Sequence, residues 1–258
     1  MRHIFALSFA LLALVIMGQD HEAGSRIALL HTQKAVLVGH GWGGNASSMN
    51  VLADYIRSRG ITAKTFDLPG HGNASGDTSK LVCSDYLKGI VAAYDELAQN
   101  PDVDPNGISV VGTSLSANLF AQLLAVRKVA VYVGDAPANY TDEMCSHPLD
   151  QLIGNATQHE ALVEWRKHSL EPVDYPAPMR ALQAFRGKIV VVRNELDETF
   201  VPSATTSNYA KAGGVSVTLI KGVGHGLERP GEEGNDFGQR KLAEIVVNAV
   251  DASQLASR

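Results

Sequence analysis

The segment Ile108–Asn118 constrains the fold of this chain more than any other stretch of the sequence. It begins as a short apolar run of β-branched residues, typical of a buried strand, and continues as a Gly-x-Ser-x-Ser turn centred on Ser114. A serine at a tight strand-to-helix turn has its hydroxyl held out from the sheet, provided that small residues stand two positions before and after it. Gly112 and Ser116 meet that requirement, although glycine is more usual at the second position. The pattern therefore predicts a strand, a sharp turn that presents Ser114, and a helix.

Two segments later in the chain each place a candidate catalytic residue, one an acid and one a base, just after a predicted strand. Asp197 comes shortly after an apolar segment at 188–193, which is typical of a buried strand. His225 follows the next predicted strand, at 215–220. The carboxyl ends of parallel strands meet at one edge of a sheet, where open α/β sheets bind their ligands. Because a serine needs a base to take its proton and the base needs an orienting acid, we predict that Ser114, His225 and Asp197 act together.

Asp135 is the alternative to Asp197 as the orienting acid. It stands just past the predicted strand at 129–133, from which an acid could also reach the base. The position of Asp197 in the loop after the penultimate strand favours it over Asp135. Ser116, the other hydroxyl of the turn, is expected to have a capping role at the start of the helix rather than to react.

A glycine-rich turn supplies candidate groups for stabilising negative charge. The apolar strand at 35–39 leads into the sequence His-Gly-Trp-Gly-Gly at 40–44. Such a turn can aim a backbone N–H at a substrate carbonyl oxygen, and the residue after the nucleophile supplies a second N–H. We assign these two oxyanion-hole donors to Trp42 and Leu115. His40 is expected to brace the turn through hydrogen bonds.

These landmarks, together with Asp-Leu-Pro-Gly-His-Gly at 67–72, resemble those of serine hydrolases with the α/β-hydrolase fold. The resemblance extends from about residue 35 to the C-terminal helix. It implies an α/β fold with a mostly parallel central sheet flanked by helices. It also implies esterase-like chemistry, in which Ser114 forms an acyl-enzyme that water hydrolyses with help from His225. No metal and no organic cofactor are implied. An acyltransferase, an amidase or peptidase with the same triad, and a catalytically silent binding protein remain as alternatives.

Predicted strands and helices alternate along the chain, including a helix over 78–99, as in a parallel sheet flanked by helices. The alternation stops at residues 139–180, which are polar and contain several prolines. This segment follows the strand that ends near Gly134, and it predicts a short lid-like insertion in a single domain spanning 19–258. Its large apolar residues are either pocket residues or ordinary packing: Met144, Leu149, Leu152 and Trp165.

The N-terminus differs from the rest of the chain. A basic start precedes an apolar stretch from Ile4 to Met17, which then becomes abruptly polar. The stretch is short for a membrane span and typical of the apolar region of a signal peptide. We therefore expect residues 1–18 to be a signal peptide and the mature protein to be periplasmic or secreted. A buried first strand or helix in a cytoplasmic protein is the alternative.

The charge of the chain argues against nucleic acid as a partner. The 258 residues include 22 Lys and Arg against 27 Asp and Glu, a formal net charge of −5, and no basic run that could follow a phosphate backbone. We expect a small-molecule ester substrate, no nucleic acid, and no stable membrane span after processing.

Cys83 and Cys145 either form one disulfide in an exported protein or remain free thiols, and the sequence leaves both open.

Overall fold

The computed structural model describes residues 33–255, so the predicted signal peptide at 1–18 lies outside the described residues. Six strands within 33–255 form one sheet in the order β2-β1-β3-β4-β5-β6, and every neighbouring pair is parallel. The strands are β1 (Gln33–Gly39), β2 (Thr62–Thr65), β3 (Val103–Thr113), β4 (Val131–Asp135), β5 (Lys188–Asn194) and β6 (Val217–Ile220). The prediction of a parallel sheet flanked by helices is confirmed.

The register of the sheet aligns the carboxyl ends of its central strands. Gly39 at the end of β1 is level with Gly112 of β3, and Thr113 is level with Asp135 at the end of β4. The turns that follow β1, β3 and β4 therefore start from the same edge of the sheet. This edge carries the glycine-rich turn and Ser114.

Helices cover both faces of the sheet. Within the described residues they are α1 (Asn50–Ser58), α2 (Cys83–Ala98), α3 (Leu115–Leu123), α4 (Leu149–Ile153), α5 (Ala156–Arg166), α6 (Ala177–Ala184), α7 (Ser203–Gly213) and α8 (Asp236–Leu255). The apolar residues of α1 and α8 pack on one face, and those of α2, α3, α6 and α7 pack on the other.

The strands serve both faces because successive side chains point in opposite directions. In β1, Leu37 belongs to the core under α2 and α3, whereas Val36 and Val38 belong to the core under α1 and α8. Val110 and Val111 of β3 divide in the same way. Continuous apolar runs in the sequence thus correspond to strands buried on both faces.

Helix α2 begins at Cys83, five residues later than the predicted start at residue 78. Asp77 explains the difference, because its Oδ1 accepts hydrogen bonds from the N–H and the hydroxyl of Ser79. Short polar side chains that bind nearby backbone in this way compete with helix formation. The helix starts where Asp85 accepts a hydrogen bond from the N–H of Val82.

The segment predicted as an insertion contains α4, α5 and two 3-10 turns. The predicted insertion ends at residue 180, which lies within helix α6. Helix α6 packs against α3 and α7, so it belongs to the helical layer on the sheet. A disulfide between Cys83 and Cys145 ties the start of α2 to the insertion, which decides between the two alternatives left open by the sequence. None of the helices at 33–255 is long and apolar enough to cross a membrane.

Candidate active site

Ser114 lies at the turn between β3 and α3 in a backbone conformation rare for a residue with a side chain, with φ 55° and ψ −110°. Three backbone hydrogen bonds hold it there. Its N–H donates to the Asp135 carbonyl at 2.9 Å, and its own carbonyl accepts from Ala138 at 3.1 Å and from Asn118 at 3.2 Å. A Cβ on Gly112 would lie 2.6 Å from the Ala117 nitrogen, so glycine is required at that position.

Ser116 faces away from the reacting side of the turn and is fully buried. Its Oγ accepts a hydrogen bond from the Thr113 N–H at 3.0 Å and donates to the Thr113 carbonyl at 3.1 Å. A serine fits where glycine is more usual because it opposes Gly39, on which a Cβ would lie 2.6 Å from the Ser116 Cβ. Ser116 therefore braces the turn by binding the backbone of Thr113. The sequence had predicted that it would cap the start of α3.

The structure brings the three predicted site residues into one hydrogen-bonded chain. His225 Nε2 lies 3.1 Å from Ser114 Oγ, and His225 Nδ1 lies 2.6 Å from Asp197 Oδ2. The carboxylate of Asp197 is almost fully buried, and its Oδ1 accepts from the Val201 N–H at 3.1 Å. With a carboxylate at Nδ1, the network assigns the proton to that nitrogen and leaves Nε2 free to accept the serine proton.

Asp135 lies near this chain but outside it. It is fully buried, and its Oδ2 accepts a hydrogen bond from the Thr113 hydroxyl at 3.0 Å. Burial raises the pKa of Asp135 to about 7, which the hydrogen bond from Thr113 only partly opposes. The residue that contacts the imidazole of His225 is thus Asp197.

The glycine-rich turn runs beside Ser114, since a Cβ built on Gly41 would lie 3.5 Å from the Ser114 Cβ. His40 is buried and holds the turn from behind: its Nε2 accepts from the Leu68 N–H at 3.0 Å, and its Nδ1 donates to the Gly41 carbonyl at 2.7 Å. Burial lowers the pKa of His40, which keeps the ring neutral with one donor and one acceptor. His40 therefore joins the turn to the 67–72 segment.

The two predicted oxyanion donors flank the serine. Trp42 belongs to the glycine-rich turn, and Leu115 is the first residue of α3. No loop, cap or side-chain acceptor within residues 33–255 binds the backbone N–H of either residue. An N–H at the start of a helix has no partner within the helix, so it is free for a ligand.

Asp67 fixes the other side of the glycine-rich turn. Its carboxylate accepts hydrogen bonds from the N–H groups of Ala46 at 2.6 Å and Asn73 at 2.8 Å, and these bonds lower its pKa. The indole of Trp42 packs edge-on against His71, with ring centroids 5.0 Å apart. The 67–72 landmark thus positions the turn and does not reach Ser114.

A cavity of about 220 Å³ opens onto Ser114 and His225. Its walls come from the glycine-rich turn, from the insertion and from the loops after β5 and β6, and include Trp42, Met49, Tyr140, Ile153, His159, Arg166, Phe200 and Leu227. Across residues 33–255, no group of three or more His, Cys, Asp or Glu side chains is placed to hold a metal ion.

The four apolar residues considered for this pocket lie elsewhere. Leu149 is fully buried in the core, and Met144, Leu152 and Trp165 line a separate groove on the outer side of the insertion. Ordinary packing, the alternative that the sequence left open, describes them better.

Several cavity residues were missed by sequence reasoning. Phe200 stacks on the imidazole of His225, with ring centroids 4.8 Å apart and planes at 22°. His159 also contacts the ring of Phe200, at 5.3 Å between centroids. His159 and Arg166 are seven residues apart in α5 and so share one face of that helix, which is the one signal that the sequence offers for them.

Comparisons with known proteins agree with the fold. The model of the Alpha/beta hydrolase family matches residues 35–236. A search of curated protein sequences finds no significant match.

Solved structures resemble the chain at low sequence identity. The bromoperoxidase from Bacillus anthracis is 14% identical, with a TM-score of 0.61 over 86% of this chain and 93% of its own. A structure described under LipS and LipT, two metagenome-derived lipolytic enzymes, is 16% identical, with a TM-score of 0.61 over 86% and 95%. The monoacylglycerol lipase of Paleococcus ferrophilus is 18% identical, with a TM-score of 0.57 over 85% and 97%. At these identities the likeness concerns the fold.

Proposed function

Because the chain belongs to the alpha/beta hydrolase family, we propose that it is a serine hydrolase that cleaves carboxylic esters or thioesters through an acyl-enzyme on Ser114. One observation carries the proposal: the hydrogen-bonded chain from Ser114 through His225 to Asp197, whose serine end faces a cavity. Lipolytic proteins are among the structures that share its fold, which is compatible with ester chemistry.

In the acylation step, Ser114 Oγ attacks the acyl carbon while His225 Nε2 takes the serine proton. The carbonyl oxygen becomes an oxyanion, which the backbone N–H groups of Trp42 and Leu115 stabilise, each by about 3 kcal/mol. The tetrahedral intermediate then expels the alcohol or thiol as His225 returns the proton to the leaving atom. Asp197 stabilises the imidazolium and does not itself take the proton.

In the deacylation step, a water molecule replaces the departed alcohol. His225 removes a proton from this water, whose oxygen attacks the acyl carbon on Ser114. The bond to Ser114 Oγ breaks, the serine recovers its proton, and the carboxylic acid leaves. The same residues thus serve both half-reactions.

The cavity favours small substrates. Its volume of about 220 Å³ accommodates a short acyl chain, and α4 and α5 of the insertion close one side of it. We therefore propose small, soluble acyl esters rather than long-chain triglycerides. Hydrolysis of p-nitrophenyl esters should be fastest at short acyl lengths, and a maximum at long chains would contradict this.

The first test is hydrolysis of p-nitrophenyl butyrate, with fluorophosphonate labelling of the same samples. The wild type should turn over and label, and Ser114→Ala should do neither. Ser116→Ala is the matched control, because it removes the other hydroxyl of the turn and should keep the label. A folded wild type that neither reacts nor labels would favour a silent binding protein.

Export is a further part of this proposal. A disulfide between Cys83 and Cys145 is typical of an oxidising compartment, which agrees with the signal peptide expected from residues 1–18. The measurement is the intact mass of the chain recovered from an exporting host. Loss of about the first 18 residues would support export, and retention of the full chain inside the cell would contradict it.

A further inference from the structure

Arg166 is a buried cation in the wall of the cavity. The residue ends α5 and is 5% exposed, and no aspartate or glutamate of residues 33–255 forms an ion pair with it. Its Nε donates to the Asn139 carbonyl at 3.0 Å and its Nη1 to the Phe200 carbonyl at 2.8 Å, whereas the buried Nη2 has no partner among the described residues. A guanidinium remains charged under ordinary conditions, and burying an unpaired charge is costly. The structure therefore leaves one donor group of this cation without a partner among the described residues.

The guanidinium stands in the wall of the proposed catalytic cavity, which it shares with Ser114 and His225. Both carbonyl groups that hold it belong to segments in contact with the reacting residues. Asn139 follows Ala138, whose N–H donates to the Ser114 carbonyl at 3.1 Å. Phe200 carries the ring that stacks on His225. A substrate bound at Ser114 therefore lies within the same enclosed space as Arg166.

The surroundings of Arg166 do not neutralise it. The ring of Tyr140 lies 4.9 Å from the guanidinium carbon, and burial raises the pKa of the Tyr140 hydroxyl, so this neighbour brings no negative charge. The charge also acts on the other side chains of the cavity: burial lowers the pKa of His159, and the positive charge of Arg166 lowers it further. Asp197, the acid of the site, is occupied by His225 and by the Val201 N–H. The cavity thus has a positive wall.

We propose that the substrate of this site is an ester that carries a carboxylate, which the guanidinium of Arg166 binds while Ser114 attacks the ester carbonyl. This inference rests on the proposed ester hydrolysis and specifies its substrate class. The planar fork of donors in a guanidinium matches the two oxygens of a carboxylate. A half-ester of a small dicarboxylic acid fits, and so does an ester of an alcohol that carries an acid group.

The test pairs substrates of similar size, one with a carboxylate and one with an uncharged group in its place. For the acyl side, mono-p-nitrophenyl glutarate is paired with p-nitrophenyl 5-methylhexanoate, whose isopropyl end has the shape of a carboxylate. For the alcohol side, 4-carboxyphenyl butyrate is paired with 4-isopropylphenyl butyrate. Spontaneous hydrolysis is measured with Ser114→Ala present and subtracted. Each pair is measured on the wild type, on Arg166→Gln, and on Lys167→Gln, which removes the same charge from the neighbouring, exposed position.

In one of the two pairs, the wild type should prefer the acid by about 10- to 100-fold in kcat/KM, the range for a hydrogen bond to a charged group. Arg166→Gln should lose that preference, mainly through KM, and Lys167→Gln should keep it. Comparing variants on the same substrate cancels differences in leaving-group reactivity. The pair that responds identifies which side of the ester carries the carboxylate.

Two results would overturn the inference. One is a wild type that hydrolyses and labels at Ser114 but shows no preference for either acid. The other is a preference that survives in Arg166→Gln. If Arg166→Gln does not fold, the wild-type ratios and competitive inhibition by glutarate, compared with uncharged glutaramide, still decide the question. A wild type that hydrolyses none of the esters and does not label contradicts the proposed function itself, and this inference with it.

Discussion

Two buried carboxylates near one histidine illustrate how the setting of a residue determines its role. Asp197 accepts hydrogen bonds from His225 Nδ1 and from the Val201 N–H. Asp135 accepts a hydrogen bond from the Thr113 hydroxyl, and burial raises its pKa to about 7. The first contacts the imidazole of His225, and the second does not.

Replacement of Asp197 by asparagine should lower kcat for p-nitrophenyl butyrate by about 10³- to 10⁴-fold, because the amide favours the wrong histidine tautomer. Asp135→Asn is the matched control, and it should lose less than about tenfold because it leaves the hydrogen bonds of His225 in place. Steady-state kinetics on both variants check this. Similar losses in the two variants would show that Asp135 takes part in the reaction.

The pKa of Asp135 also makes a prediction about stability. Between the ordinary aspartate value near 4 and about 7, the unfolded chain ionises this group while the folded chain keeps it protonated, so its contribution to the free energy of unfolding falls as pH rises through this window. Asp135→Asn removes that loss. Urea unfolding should show the variant stabilised relative to wild type by more at pH 8 than at pH 5.5. An equal difference at both pH values would contradict a raised pKa.

At the scale of elements, the close approach of β1 to α3 depends on Gly39. A Cβ there would lie 2.6 Å from the Ser116 Cβ and 2.9 Å from the ring of Phe120. Gly39→Ala should therefore cost about 1–3 kcal/mol of unfolding free energy, as overpacking does elsewhere.

Ser116→Gly in the same chain should recover part of that loss, because it removes one of the two contacts. A double-mutant cycle measured by urea unfolding gives the coupling between the two positions. Additive effects would mean that the strand and helix can move apart without cost.

The strands could be predicted from the sequence because continuous apolar runs are followed by turn residues, as at Ile108–Asn118. The same rule predicted His225 after the last strand, and in the structure its Nε2 lies within hydrogen-bond distance of Ser114 Oγ. The start of α2 was misplaced because local hydrogen bonds of Asp77 outweigh the helical spacing of later residues. Phe200, His159 and Arg166 could not be placed, since their contacts depend on how the insertion folds back over the sheet edge.

At the scale of the whole molecule, the Cys83–Cys145 disulfide closes a loop with a sequence separation of 62 residues. That loop contains β3, α3 and β4, so the bond ties the insertion to the half of the fold that carries Ser114. In an oxidising compartment this cross-link restricts the unfolded chain.

Cys83→Ala combined with Cys145→Ala should lower the free energy of unfolding by about 2–5 kcal/mol, because the unfolded chain regains the entropy of an open loop. Urea unfolding of the double variant and of the wild type, each with and without dithiothreitol, checks this. The reductant should destabilise only the wild type. Equal midpoints for oxidised wild type and double variant would show that the bond adds nothing to stability.

The positive φ of Ser114 means that the molecule does not have the most stable sequence for its own fold. A rare backbone conformation costs about 1–3 kcal/mol, and glycine adopts it freely, although glycine also loses more entropy on folding. Ser114→Gly should therefore be about 1 kcal/mol more stable than Ser114→Ala, while both are inactive. If Ser114 is the nucleophile that we propose, the serine exchanges stability for reactivity, and a search for stabilising substitutions alone would replace it.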